Sequence, residues 1–160
     1  MLTYHNDPPD RRLMDDDIVY LDFGPVFEAW EADFGRTYVL GSDPIKHKLV
    51  RDIARAFDQG KAYFEQQADL TCGGLYDYVV TLAHAAGWEF GHTSAGHLIG
   101  ACPHETAPGE PKPLSIRHGN PLSLRARDSS GAIRHWILEI HFVDRQREIG
   151  GFFEQLLTLP

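Results

Sequence analysis

Four carboxylates stand where strands should be apolar. Asp22 in "VYLDFG", Asp33 in "EADFGRTYV", Glu139 in "HWILEIHFV" and Glu154 in "GGFFEQLLTL" each interrupt a stretch of aliphatic and aromatic residues. A carboxylate taken out of water costs several kcal/mol unless it is paired, protonated or bound to a cation. None of the four stretches offers a lysine or arginine at a matching place, so a cation from solution is the simplest partner. His97 in "AGHLIG" adds an imidazole. Four carboxylates with one neutral imidazole carry four negative charges, which two divalent ions balance and a single ion leaves half uncompensated in a low-dielectric pocket. An oxygen-rich set with one histidine favours Mn²⁺, Fe²⁺ or Co²⁺ over a structural zinc site. Two such ions ~3.5–4 Å apart are an arrangement that activates water for hydrolysis.

The elements that must position these groups are legible in the pattern. "DIVYLDFGPVF" and "ADFGRTYVLG" read as strands, with "EAWE" as a hairpin connection. "GSDPIKHKLVRDIARAFDQGKAYFEQQ" reads as a long amphipathic helix with Ser42 as N-cap, Pro44 in the first turn, and Ile45, Leu49, Ile53, Ala56 and Phe57 at helical spacing. A second helix is expected in "LYDYVVTLAHAAG", with Leu75, Val79, Leu82 and Ala86 on its apolar stripe and Gly87 as its stop. "GHTSAGHLIGACPHE" reads as a glycine-punctuated strand or loop and "ETAPGEPKP" as a loop. "PLSLRAR", a turn at "DSSG", "RHWILEIHFV" and "GGFFEQLLTL" read as β. Strands, then helices, then an antiparallel sheet imply an α+β fold, expected as a single domain over residues 1–160.

Bulk properties narrow the function. The net charge of −8 repels polyanions and argues against a nucleic-acid partner. No apolar run approaches the ~20 residues of a membrane span, the N-terminal residues lack a signal-peptide pattern, and Cys72 and Cys102 form no disulfide framework. These features lead to the expectation of a cytoplasmic protein. Nine histidines raise the prior for a metal or acid–base site. Competing motifs fail: "HETAP" has no histidine four residues after His104, "TSAGH" is not a nucleophile elbow, and "CGGLY" is not a phosphate loop.

The segments "YLDFGPVFEAWEADFGRTYVLG", "AGHLIGACPHE", "WILEIHFVD" and "FFEQLL", in that order, resemble the pita-bread metallopeptidases: methionine aminopeptidase, aminopeptidase P, prolidase and the related creatinase. Asp22 and Asp33 stand eleven residues apart, as the two aspartates of that family do. The resemblance implies a dinuclear centre in which Asp22 is terminal on one metal, Asp33 and Glu154 bridge, and His97 with Glu139 completes the second. Mn²⁺ is the expected ion, with Co²⁺, Fe²⁺ and Zn²⁺ as alternatives. It also implies that Glu139 relays protons beside a metal-bridging hydroxide, that His104 contacts the scissile group, and that His5 lies on the substrate side. The substrate would be a small peptide, and "LEIHFVD" and "FGRTYVLG" look closer to the Xaa-Pro branch, a reading with which His141 and Arg36 as cleft residues are compatible. His141, two residues after Glu139, shares its strand face and either lines the cleft or is a satisfied core histidine; His92 has no assigned role. His47, His84, His118 and His135 are read as surface groups.

The chain departs from the family by starting near "TYHNDPPD", so part of the N-terminal half of the fold is expected to be missing, and a homodimer or higher assembly is expected to cover the surface left bare. The short spacing from Glu139 to Glu154 suggests a trimmed hairpin. A creatinase-like C–N hydrolase and an inert metal-binding or interaction protein that keeps the fold remain as alternatives.

Overall fold

The structure is a computed structural model that describes residue 10 and residues 12–100 and 114–158. Its elements follow in the order β1 (Ile18–Phe23), β2 (Val26–Phe27), β3 (Trp30–Glu31), β4 (Phe34–Val39), α1 (Pro44–Gln66), α2 (Cys72–Ala86), β5 (Glu89–Phe90), β6 (Leu98–Ile99), β7 (His135–Asp144) and β8 (Ile149–Leu156). One antiparallel sheet has the strand order β1-β4-β8-β7-β5, with β6 also paired to β7, while β2 and β3 form a separate two-stranded piece. This is the α+β arrangement expected, with two helices on the sheet.

The helices begin where side chains can satisfy their free N–H groups. Asp43, not Ser42, caps α1: its carboxylate accepts from the backbone N–H of Ile45 at 2.8 Å and of Lys46 at 3.3 Å. The aspartate one residue nearer the helix reaches both donors, and Pro44 occupies the first turn. Thr71 caps α2 through Gly74 N–H at 3.0 Å, and Gly87, in the left-handed region at φ 86°, closes it as expected. Leu49, Ile53, Ala56 and Phe57 of α1 and Leu75 and Val79 of α2 are buried, while on α2 Ala83 is fully buried and Leu82 and Ala86 only partly so.

Alternation along β7 divides its residues between two environments. Leu138, Ile140 and Phe142 are fully buried and belong to the core with the helices, where Leu138 lies against Gly60 of α1. On β8, Phe153 packs at a tilt against Phe57 of α1 with ring centroids 4.8 Å apart, and the missing side chain of Gly151 leaves room for Leu49 and Ile53. The opposite face of both strands is free to carry polar groups.

Two expectations need correction. "EAWE" is not a plain connection, because Val26–Phe27 pairs with Trp30–Glu31 to make a small hairpin of its own at the tip of β1–β4. "PLSLRAR" is not a strand: Thr71 bridges Ser123 and Arg127 bridges Ile133 only as isolated pairs. Its alternation arises because Leu124 dips into the core, its N–H bonded to Leu70 O and its carbonyl to the Trp136 indole. β7 and β8 are joined through residues 145–148 as an antiparallel hairpin.

β1 is an edge strand, and one face of its pairing with β4 remains open. The register sets Phe23 opposite Phe34 and Val19 opposite Tyr38, and Leu21, Phe23, Phe34 and Tyr38 are all exposed. Among the described residues no helix is long and apolar enough to cross a membrane.

Gly96 shows how the segment before β6 is held. At φ 130° its Cα lies so close to β7 that a Cβ would fall 2.0 Å from the Ile137 carbonyl oxygen. Gly96→Ala should therefore destabilise the protein by about 1–3 kcal/mol in urea denaturation and lower metal affinity through displacement of His97; an unchanged midpoint and affinity would contradict this packing.

Candidate metal centre

The strand register assembles the acids into a row. Asp22 of β1 lies opposite Gly35 of β4, Gly35 opposite Glu154 of β8, and Glu154 opposite Glu139 of β7. Glycine at 35 is imposed by space, since a Cβ there would come 2.1 Å from the Phe152 ring. Asp33 stands just ahead of β4. Like charges placed directly across a strand pair destabilise a sheet, yet Glu139 and Glu154 occupy such a position.

His97 is the centre of the cluster. Its Nε2 lies 3.3 Å from Glu139 Oε1, 3.4 Å from Asp33 Oδ2 and 3.9 Å from Glu154 Oε1. Its Nδ1 lies 2.9 Å from the Leu98 carbonyl, an acceptor that places a proton on Nδ1 and points Nε2 at the acids. Metal-ligating histidines are commonly oriented in this way. Ligand atoms of Asp33, His97 and Glu154 lie within 4.8 Å of one another, as do those of His92, Glu139 and His141.

The electrostatics record the crowding. Burial, then the charges of Asp33, Glu139 and Asp22, push the Glu154 carboxyl up to about 10. Burial, Asp33 and Glu139 raise Asp22, with partial relief from Glu154 and His141. Burial opposes protonation of His97, but its bond to Asp33, the charge of Glu139 and the Leu98 carbonyl outweigh it and raise the imidazole to about 9. Without a cation, protons and one imidazolium hold the acids together.

A metal fits this donor set. Glu154 is 3% exposed and its Oε2 is buried with no hydrogen-bond partner. Among the described residues no lysine or arginine forms an ion pair with Asp22, Asp33, Glu139 or Glu154. Oxygen donors with one oriented imidazole suit a divalent cation.

The five residues proposed as ligands from the sequence thus meet in one place, although Asp22, on the edge strand, is exposed rather than buried. His5 and His104 lie outside the described residues, as does Cys102. Arg36 is not a cleft residue: its guanidinium stacks on Phe34 and on Phe153, on the helix side of the sheet, and donates to the carbonyls of Gly35 and Glu154 and to the Gln155 side chain. His141 is 5% exposed and so does not line an open cleft. His118 pairs with Asp77 on the surface and His84 is exposed, while His47 and His135 are half-buried. Cys72 is buried in the core, and burial pushes its thiol up to about 12, which excludes a nucleophilic role. Gly35 and Gly96 were missed as site-building residues; glycine inside a strand pattern was the available signal.

Comparison with known proteins gives the family and the fold. The pattern of metallopeptidase family M24 matches residues 2–128, and the chain belongs to that family. Glu139 and Glu154 lie beyond the match, so their place in the cluster rests on the structure. Similar solved structures include methionine aminopeptidase from Rickettsia prowazekii (TM-score 0.70, 19% identity, 97% of this chain and 69% of that one) and prolidase from Pyrococcus furiosus (0.72, 20%, 96% and 41%). The N-terminal domain of FACT complex subunit SPT16 from Cicer arietinum is also similar (0.72, 14%, 98% and 36%). At these identities the likeness establishes the shared pita-bread fold, and this chain spans less than half of the last two. A comparison with curated sequences returns no match.

The raised groups fix a pH dependence. Glu154 rises from 4.5, His97 from 6.5 and Asp22 from 3.8, so the folded apoprotein holds protons that the unfolded chain has lost. Stability from these groups is present below their unfolded values and is lost as pH rises toward their folded ones. The lowered acids Asp52, Asp128 and Asp144 act in the opposite sense only near or below the ordinary carboxylate range. In chelator, Tm should fall between pH 5.5 and 8.5, and the Tm gain from added Mn²⁺ should grow over the same interval because a cation replaces the protons. A metal-induced gain that shrinks with pH would contradict the assignment.

Proposed function

We propose that this chain is a two-metal peptide hydrolase. The observation that carries the reading is the convergence of Asp33, Glu139 and Glu154 on His97 Nε2, with Asp22 alongside and, among the described residues, no lysine or arginine paired with them. Asp22 would hold one cation, Asp33 and Glu154 would lie between the two, and His97 with Glu139 would hold the second. Bound there, two divalent ions supply a water of lowered pKa and polarise the scissile carbonyl. Mn²⁺ is the ion proposed.

The remaining chemistry falls to side chains. Glu139, whose Oε1 faces His97, would accept a proton from the attacking water and return it to the leaving amine. His104 and His5 are assigned to the substrate, His104 as a donor to the developing oxyanion. Cleavage next to proline is the finer reading, and its support is the sequence resemblance and the likeness to a prolidase. Neither Arg36 nor His141 contributes to it, because one lies behind the sheet and the other is enclosed. The open β1 edge with its exposed Leu21, Phe23, Phe34 and Tyr38 supports a second copy of the chain as the cover for that face; a monomer in sedimentation at tens of micromolar would remove this element.

A second reading is a fold-retaining interaction protein, favoured by the same exposed strip and by the likeness to a domain named as part of a complex rather than as a peptidase. A creatinase-like C–N hydrolase is the alternative chemistry for the same ligands. The two classes separate in one experiment. Metal-loaded protein should contain two Mn²⁺ per chain and hydrolyse Xaa-Pro dipeptides in preference to Met-Ala peptides, and Glu139→Gln should lower turnover by roughly 10²–10⁴-fold with the fold retained. Full activity in that variant, or an inert wild type with both metals bound, would reject the hydrolase.

A further inference from the structure

We infer that His141 is a positioning residue that holds Glu139 as a single-oxygen ligand by donating its Nε2–H to Glu139 Oε2. The inference rests on the two-metal reading above, and nothing in the motif comparison assigns His141 a role.

The geometry begins with strand alternation. Residues 139 and 141 share a face of β7, and on that face His141 Nε2 lies 2.8 Å from Glu139 Oε2. The other oxygen, Oε1, is the one 3.3 Å from His97 Nε2. Each oxygen of Glu139 thus has its own imidazole. One imidazole belongs to the metal cluster and the other lies behind it.

The tautomer follows from what surrounds the ring. His141 Nδ1 is buried and has no hydrogen-bond partner. A proton on Nδ1 would bury an N–H without an acceptor and would set the bare Nε2 lone pair against a carboxylate oxygen, two penalties at once. A proton on Nε2 is donated to Glu139 and leaves only an unused lone pair. The same observation separates His141 from a metal ligand. A ligating Nε2 would require Nδ1 to carry its proton, and there is no acceptor for it, whereas His97 has the Leu98 carbonyl. For this reason the His92–Glu139–His141 grouping is read as a support rather than as a further cation site.

The ring is also locked. Its centroid lies 4.9 Å from Phe152, 5.0 Å from His92 and 6.0 Å from Phe90. The 90–92 segment is held against β7 by Gly91 N–H bonded to the His141 carbonyl at 2.8 Å, and Gly91 has no space for a side chain, since a Cβ would meet Val143 at 2.6 Å. An imidazole enclosed in this way has one orientation, and it fixes one carboxylate rotamer in turn.

Two substitutions separate positioning from packing. His141→Gln keeps an N–H donor near the place of Nε2 but is a poor fit among aromatic rings, whereas His141→Phe fills the aromatic enclosure and donates nothing. Positioning predicts that the Phe variant, folded by circular dichroism, loses roughly 10- to 100-fold in affinity for one of two Mn²⁺ ions by titration calorimetry, and that the Gln variant recovers most of it. The reverse ranking, or wild-type affinity in the Phe variant, overturns the inference while leaving the two-metal reading intact. Failure of the wild type to bind two Mn²⁺ overturns that reading instead. Nitrogen-15 spectra of the histidine rings give a check that needs no metal: the proton of His141 should reside on Nε2, and a proton on Nδ1, or a third metal ion lost on mutation of His141, would also overturn it.

Discussion

The structure turns on one constraint, the concentration of negative charge around a single imidazole. Asp33, Glu139 and Glu154 approach His97 and Asp22 stands beside them, and among the described residues no lysine or arginine forms an ion pair with any of the four. Protons can hold such a group together, at the cost of groups titrating far from their ordinary values. Cations can do so without that cost. The apoprotein is therefore in competition with itself: the arrangement that would best receive metal is the one that most resists being empty.

Much of the remaining architecture serves this placement. The helices cover the far side of β7 and β8 with Leu49, Ile53 and Phe57, so that the central strands are rigid where Glu139 and Glu154 need them to be. Gly35 provides space for the Phe152 ring, and Phe152 in turn contacts His141. Gly96 brings His97 against β7. Asp22 differs from Asp33, His97, Glu139 and Glu154 because it sits on the edge strand in contact with solvent.

The strands bearing the acids were legible because a carboxylate in an alternating apolar run is a conflict that sequence alone exposes. Helix α2 was legible through its apolar stripe and Gly87. What could not be read were features decided by contact between distant parts. "PLSLRAR" alternates like a strand, but Leu124 answers to Leu70 and Trp136 rather than to a neighbouring strand. Arg36 looked compatible with a cleft and His141 with either a cleft or a core place in one dimension, whereas the side of the sheet and the enclosing rings settle their places in three. Asp22 looked buried because its neighbours in the sequence are apolar, yet β1 is the edge strand and Asp22 is exposed on it.

The pairing of β4 with β8 joins the beginning of the described chain to its end. A ribosome would release Asp22 and Asp33 long before Glu154, so the cluster cannot close until β8 has emerged. Until then the nascent chain would carry only part of the cluster, and the docking of β8 against β4 and β7 would be the event that completes it.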